Sequence, residues 1–349
     1  MSGTATGAAF AIEVEGSPLP DSDASAVYGV TVDQSLDAPN RCVIALNPVN
    51  YPADTLRGLD FGVFSMGASL NVSLGMGTAR PVFSGLITAV EPSYADRCRR
   101  VNITAYDRTY LLQFGTKARI FEEMSYSAIA GDVLDEAGLD AEVEPTTAVH
   151  AYVPQINLSD YRFLISIARR IGYELGMRDD VVTFRKARLD DPPVVTLEYG
   201  LGLSEFNTRA RALTRGSTVT RLGWDPKTKS VLEASVSNAD PEDRMGGQET
   251  GFQMSQNVNS SPITGSDASI DDVEGAQELA SGTRDDLLDN FITGDARSTG
   301  DARIGAGSVV GIAGIGGRFD GPYYVVAAIH EFGIDTGYTT RSTLRRTGI

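Results

Sequence analysis

Residues Val82–Leu112 read VFSGLITAVEPSYADRCRRVNITAYDRTYLL. Two runs of alternating apolar and polar residues, Phe83–Glu91 and Arg99–Tyr106, flank a polar connection, the pattern of two antiparallel strands joined as a hairpin. The same period of two recurs upstream in AFAIEVEG, AVYGVTVDQ, RCVIALNPV and SLNVSLGMG, broken by Gly, Pro, Asp and Asn. Residues 1–115 are therefore predicted to form an antiparallel β-sheet or barrel domain.

Beyond that stretch the period changes. In SYSAIAGDVLDEAGL, Ile129, Val133, Leu134 and Ala137 share one helical face, Ser125 is a cap, and Gly138 supplies a left-handed stop. In NLSDYRFLISIARRIGYEL, the stripe is Leu164, Ile167, Ala168 and Ile171, with Ser159 or Asp160 as cap and Gly172 closing the helix. Two strand-like runs around Arg178-Asp179-Asp180 follow, so 116–190 reads as a small α+β domain. Residues 191–349 return to β-type runs and are predicted to form a second barrel. It is interrupted by an exposed polar loop over 238–270 and a helix over 271–291, with Val273, Ala276, Ala280, Leu287 and Phe291 toward one side.

Composition restricts function. The chain carries 30 Lys+Arg against 46 Asp+Glu, a net charge of −16, which repels phosphate backbones and acidic membrane surfaces. Nonspecific nucleic-acid binding is disfavoured, and a halophilic source is compatible with the same balance. With no basic n-region ahead of an apolar segment, and no apolar stretch near the roughly 20 residues that span a bilayer, a soluble product made in the cytoplasm is expected. Cys42 and Cys98 are far apart and outside any CxxC, and signal neither a disulfide framework nor zinc.

The usual catalytic constellations are poorly served. His150 and His330 are the only histidines, too few for a multi-histidine metal site. His330, within YYVVAAIHEF, reads as a satisfied sheet residue, and His150 as a loop residue without a role. Ser65 in GVFSMG lacks the flanking glycine of a nucleophile elbow. GIAGIGGRFDG loses the third glycine of a dinucleotide fingerprint at Phe319 and has no GK[ST] after it, so strand twist or close packing accounts for it. Asp190-Asp191, Asp285-Asp286 and EDRMGGQE lack calcium-loop spacing and read as solvated faces. Paired carboxylates for glycoside hydrolysis have no fixed spacing in sequence and remain the surviving enzyme hypothesis. No catalytic, cofactor-binding or metal-binding residue is predicted.

One ordered series of segments carries a family resemblance: VFSGLITAVEP, VNITAYDRTYLL, FEEMSYSAIAGDVLDEAGL, YVPQINLSDYRFLISIARRIGYEL and VVTFRKA, then the closing GPYYVVAAIHEFGIDTGYTTR. It resembles the phage late control protein D family, the baseplate hubs, which includes the hub half of valine-glycine-repeat spike proteins and the hubs of contractile injection systems. The matching positions are Tyr106, Asp107, Arg108, Gln155, Ser159, Asp160, Phe163, Leu164, Ala168, Gly172, Gly321, Tyr323, His330, Gly337 and Tyr338. A fold-keeping role is expected for them: caps, helix packing, and Tyr106 and Tyr323 placing rings in barrel cores. The resemblance implies a mainly β fold of two tandem tube-like barrels with an α+β insertion, in a homotrimer whose six barrels mimic a tube ring. It further implies a non-enzymatic, cofactor-free adaptor between the sixfold tail tube and a threefold spike, within a virion tail or injection particle and contacting other baseplate proteins. No needle repeats follow the hub segments, so a separate spike protein is expected. A tail-tip cell-wall hydrolase, or a cargo- or receptor-binding module using loop 238–270, are the competing readings.

Overall fold

The computed structural model describes residues 4–5, 7–47, 63–95, 98–213, 218–225, 227–237, 244–255, 258, 261–267 and 269–349. In chain order the first elements are β1 (Thr4–Ala5), β2 (Ala8–Val14), β3 (Ser17–Pro18), α1 (Asp21–Ala24), β4 (Val27–Ser35), β5 (Arg41–Leu46), β6 (Ser69–Met76), β7 (Arg80–Ala95) and β8 (Cys98–Tyr106). A 3-10 helix, Arg108–Gln113, leads into β9 (Lys117–Met124), α2 (Tyr126–Glu136), β10 (Ala141–Val143), β11 (His150–Leu158), α3 (Asp160–Arg170), β12 (Tyr173–Arg178) and β13 (Val181–Lys186). The remainder comprises β14 (Thr196–Glu198), β15 (Leu203–Ala210), β16 (Thr218–Asp225), β17 (Ser230–Ser237), α4 (Gly251–Ser255), β18 (Ile263–Ser266), α5 (Val273–Asp289), β19 (Ile292–Thr299), β20 (Val309–Ala313), β21 (Gly321–Gly333) and β22 (Gly337–Arg346).

The protein is mainly β. One 14-stranded sheet runs β1-β2-β6-β7-β8-β5-β4-β21-β22-β19-β15, with β3, β14 and β20 off this path. The hairpin read from Val82–Leu112 is β7 paired antiparallel with β8, from Leu86↔Tyr106 to Ala95↔Cys98. The strands of the first and last thirds of the chain are joined where β4 pairs β21, from Ser35↔Ala327 to Gly29↔Gly333.

Alternation along these strands aims one side-chain set inward. Phe10, Val32, Ile44, Leu70, Val72 and Ile103 are buried in one core, which also takes in Phe332 and Tyr338 from β21 and β22. The rings of Phe10 and Phe332 lie 5.0 Å apart. A second core joins the faces of α2 and α3 to β9, β11, β12 and β13 and includes Ile129, Val133, Leu134, Phe163, Leu164 and Phe184. The third gathers Leu203, Phe252, Phe291, Val310, Tyr323 and Leu344. Full burial of such a side chain contributes about 1.5–3 kcal/mol.

The helices end where their chemistry says they should. Ser125 accepts from Ala128 N at the start of α2, and Ser159 from Arg162 N at the start of α3. Ser159 is thus the cap of α3, while Asp160 is drawn into an ion network. Asp179 and Asp180 both have positive φ (49° and 64°), the conformation of the tight turn that closes β12 onto β13.

Two expectations need correction. Val273 is exposed and Leu287 half-buried, because the buried face of α5 keeps Ala276 and Ala280 as expected but is completed by Leu279 and Leu288. The segment 238–270 is more than an exposed polar loop in its described part. It holds α4 and β18 and buries Met245, Phe252 and Ile270. Gln248 N donates to the Ile349 carbonyl at 2.8 Å, and the Arg346 Nε to the Met245 carbonyl at 3.2 Å, so backbone bonding that sequence periodicity does not reveal anchors it. Residues 238–243, 256–257, 259–260 and 268 of that segment, and the side chain of Cys98, lie outside what the structure describes. Cys42 is buried, and burial raises its thiol far above the ordinary range. No helix among the described residues is long and apolar enough to cross a membrane.

Candidate functional site

A cleft of about 1040 Å³ opens where the second core, α5 and the large sheet meet; its lining includes Leu36, Glu174, Leu175, Asp285, Asp289 and Arg345. Strand β12 sets Glu174, the last residue of α5 is Asp289, and β22 delivers Arg345. The Arg345 guanidinium donates to Glu174 Oε1 at 2.5 Å and pairs with Asp289 Oδ2 at 2.9 Å. Tyr324 Oη donates to Glu174 Oε2 at 2.6 Å, and its ring lies under the guanidinium, 4.8 Å from Cζ. Arg185, opposite Glu174 in the β12–β13 register, is buried with its Nη1 unpartnered.

Electrostatics follow from this packing. Burial pushes the Asp289 carboxyl up to about 7; Arg345 opposes the shift, and Glu174, Asp285 and Asp286 add to it. The Tyr324 hydroxyl is raised by burial and by Glu174. Burial opposes the charge on Arg345, yet Asp289 and Glu174 hold it above its ordinary value.

Two carboxylates in a cleft, one of them raised, meet half of what glycoside hydrolysis needs. The other half is an open gap of about 5–9.5 Å between the carboxyl groups for sugar or water. Here one guanidinium binds both, so the chain's own Arg345 fills the place a substrate would take. Chemically the cluster is a lock tying β12, α5 and β22 together.

The family-matching positions fall into separate clusters. Tyr106 is half-buried and stacks on Tyr110, ring centroids 4.4 Å apart; it is outside the buried cores, contrary to expectation, because its parity on β8 places it on the opposite face from Ile103 and Ala105. Asp107 is buried and accepts from Thr109 N (2.9 Å) and Asn40 N (2.7 Å). Burial pushes its carboxyl up to about 6 against those hydrogen bonds. Arg108 is exposed.

Around the start of α3, Gln155 Oε1 accepts from Arg119 Nε at 2.8 Å, and its amide donates to Asp160 Oδ1 at 2.9 Å. Asp160 also pairs with Arg119 at 2.9 Å and Lys117 at 2.8 Å. Phe163 stacks on Phe121 at 5.5 Å, with Leu164 and Ala168 in the same core, and Gly172 brings α3 against α5. Elsewhere Gly321 opens β21 beside Arg346, and Tyr323 Oη donates to the Phe319 carbonyl at 2.9 Å. Gly337 begins β22 after the turn from β21. His330 Nδ1 lies 2.8 Å from Tyr338 Oη and 3.2 Å from Thr340 Oγ1.

The His330 imidazole is fully buried. Burial lowers its pKa to about 4, with Asp301 and the Ile304 backbone opposing, against 6.5 when solvated. A buried neutral histidine refuses the proton that the unfolded chain accepts. Stability is therefore unaffected above pH 6.5 and falls as pH drops from 6.5 to 4, by about 3 kcal/mol. The unfolding free energy of wild type relative to His330→Gln should shrink by that amount between pH 7 and pH 4. A pH-independent difference would refute it.

His150 is buried, with its ring 4.1 Å from that of Tyr126, and opens β11 where a loop was expected; the flanking Ala148 N and Ala151 N donate to Glu278 and Asp271 on distant segments, which is invisible locally. In the glycine-rich segment, Ile315 N and Gly316 N both donate to Asp320 Oδ1, at 3.0 and 3.2 Å. The backbone donors a phosphate would use are thus taken by the chain's own carboxylate. Among the described residues no group of three or more His, Cys, Asp or Glu is placed to hold a metal. Sequence reasoning missed Glu174, Asp289, Arg345 and Arg119. For Arg119 the period of two was a usable signal, since it shares a face with the buried Phe121.

This architecture, a 14-stranded sheet with an α/β module beside it, is shared with phage tail proteins of solved structure. The chain matches the 43 kDa tail protein of prophage MuSo2 from Shewanella oneidensis at 15% identity and TM-score 0.69, over 97% of this chain and 98% of that one. A tail protein from Neisseria meningitidis MC58 matches at 13% identity and TM-score 0.69, over 97% of each chain. The c3393 protein of E. coli, a type VI secretion component described as similar to the T4 tail proteins gp27 and gp5, matches at 13% and 0.61, over 96% of this chain and 76% of that one. Residues 4–333 match the family model of the Alg8 N-terminal domain, and the chain belongs to that family. No curated protein matches the sequence.

Proposed function

We propose that the chain is a structural hub subunit of a phage-like tail or contractile injection system: a homotrimer that adapts a sixfold tail tube to a separate threefold spike, in contact with other baseplate proteins and without catalysis of its own. The observation that carries this reading is end-to-end correspondence of fold with tail proteins. The pairing of β4 with β21 supports it, since it makes two strand sets one continuous surface, as a subunit that supplies two of six positions in a ring requires. The domain division into tube-like barrels over 1–115 and 191–349 with an α+β module over 116–190 belongs to the same proposal, and the three separate cores support it. The Arg345 bridge between Glu174 and Asp289 argues against the hydrolase reading. The test is native mass by light scattering with negative-stain imaging: closed trimeric rings are expected, and a stable monomer at micromolar concentration overturns the proposal.

A further inference from the structure

Two exposed apolar surfaces of opposite electrostatic character stand on this chain. The first is the tip of the β16–β17 hairpin, where Trp224 pairs directly with Val231, the two side chains 54% and 60% exposed. The opposite face of this small sheet packs on α5 through Val219, Ala234 and Val236, so the pair points away from the body. Trp224 is the chain's single tryptophan, and Lys227 and Lys229 at the tip are two of its four lysines. Asp225 is occupied within the turn, accepting from Lys227 N at 2.8 Å and Thr228 Oγ1 at 2.6 Å. No ion pair holds either lysine among the described residues.

The second surface is the outer face of the two-stranded β9–β11 ribbon. Its inner face, with Phe121 and Val153, closes the second core. Outward stand Ile120, Tyr152 and Ile156, at 62%, 64% and 63% exposure, with Pro154 opposite Ile120 and Glu122 opposite Tyr152. Glu123 next to it is exposed as well.

We propose that the Trp224–Val231 tip of one copy docks on the Ile120–Tyr152–Ile156 ribbon of the next, with Lys227 and Lys229 facing Glu122 and Glu123. Charge complementarity selects a second copy as the occupant: a basic, aromatic tip on a chain of net charge −16 needs an acidic apolar acceptor, and this chain carries one. Trp and Tyr are the residues that concentrate binding energy at the centre of interfaces. Because the two surfaces differ, the contact is heterologous and repeats head to tail, the kind that closes into a ring. This rests on the ring-forming hub reading and names the surfaces that would form the contact.

Charge reversal tests it by light scattering on the full chain. Lys227→Glu with Lys229→Glu, and separately Glu122→Lys with Glu123→Lys, should each weaken self-association roughly tenfold or more, and combining all four should restore most of it. Circular dichroism should stay unchanged, because all four side chains are exposed. Emission from Trp224 should shift to shorter wavelength on assembly and track the same concentrations. Assembly indifferent to both reversals, no rescue by the fourfold variant, or unshifted emission overturns the docking. A trimer that ignores the reversals overturns this contact alone and leaves the hub reading standing; a monomeric wild type overturns both. A ring of another stoichiometry with rescue supports the contact while removing the threefold assignment.

Discussion

Arg345→Ala should lower the unfolding free energy by about 3–5 kcal/mol, the cost of leaving buried charges without their counter-ion. Glu174 keeps only the Tyr324 hydroxyl after this change, and Asp289 loses its ion partner. The Asp289 carboxyl titrates near 7 in the folded protein and near 3.8 ordinarily. Its folded form favours the proton, so its contribution to stability is most favourable below pH 3.8 and declines as pH rises toward 7. Without Arg345 the ionised carboxylate is worse placed still, and the cost of the substitution should be larger at pH 8 than at pH 5. Adding Glu174→Gln and Asp289→Asn should recover part of the loss, since amides need no counter-ion. Denaturant unfolding measures all of this, and a loss under about 1 kcal/mol for Arg345→Ala would mean the cluster is solvated and weak.

Gly282→Val should cost about 3 kcal/mol or more by forcing two helices apart. A Cβ at position 282 would sit 2.5 Å from the Arg170 carbonyl oxygen, 2.6 Å from the Ile171 carbonyl carbon and 2.7 Å from the Gly172 nitrogen. These are backbone atoms at the end of α3 and cannot swing aside as a side chain does. The control is Gly131→Ala on α2, where a Cβ meets nothing within 4 Å and better helix propensity should stabilise by about 0.5–1 kcal/mol. Unfolding curves of the two variants should move in opposite directions. A Gly282→Val protein as stable as wild type would show that α3 and α5 are not in contact in solution.

Local chemistry was legible in the sequence and long-range partnership was not. Ser125, Ser159, Gly138 and Gly172 announced the limits of α2 and α3, because caps and left-handed stops are decided within a few residues. The hairpin of β7 and β8 showed for the same reason. The pairing of β4 with β21 has no local signature: alternation fixes which face of a strand is buried but not which strand lies beside it. Val273 was misplaced because one apolar residue near a helix start fits either edge of the stripe. The described part of 238–270 looked like loop since its order comes from bonding to distant residues, 245–251 to 346–349 and β18 to β16. At the cleft, alternation in LRR puts Arg345 on the face opposite Leu344, which by itself predicts solvent; only the docking of β12 and α5 over that face half-buries it. The matching positions were legible as a set, and the structure spreads them over several separate clusters, with no single site.

The junction of β4 and β21 also bears on how the chain reaches this state. Residues Ser35 and Ala327 are neighbours across a ladder but roughly 300 residues apart along the chain, and closing such a span costs about 5 kcal/mol of chain entropy before any bond repays it. During synthesis β4 emerges long before its partner exists, so one edge of the early sheet waits unpaired. Refolding should accordingly be slow, as for proteins dominated by distant contacts, and that waiting edge is where a nascent chain is most open to pairing with a neighbour.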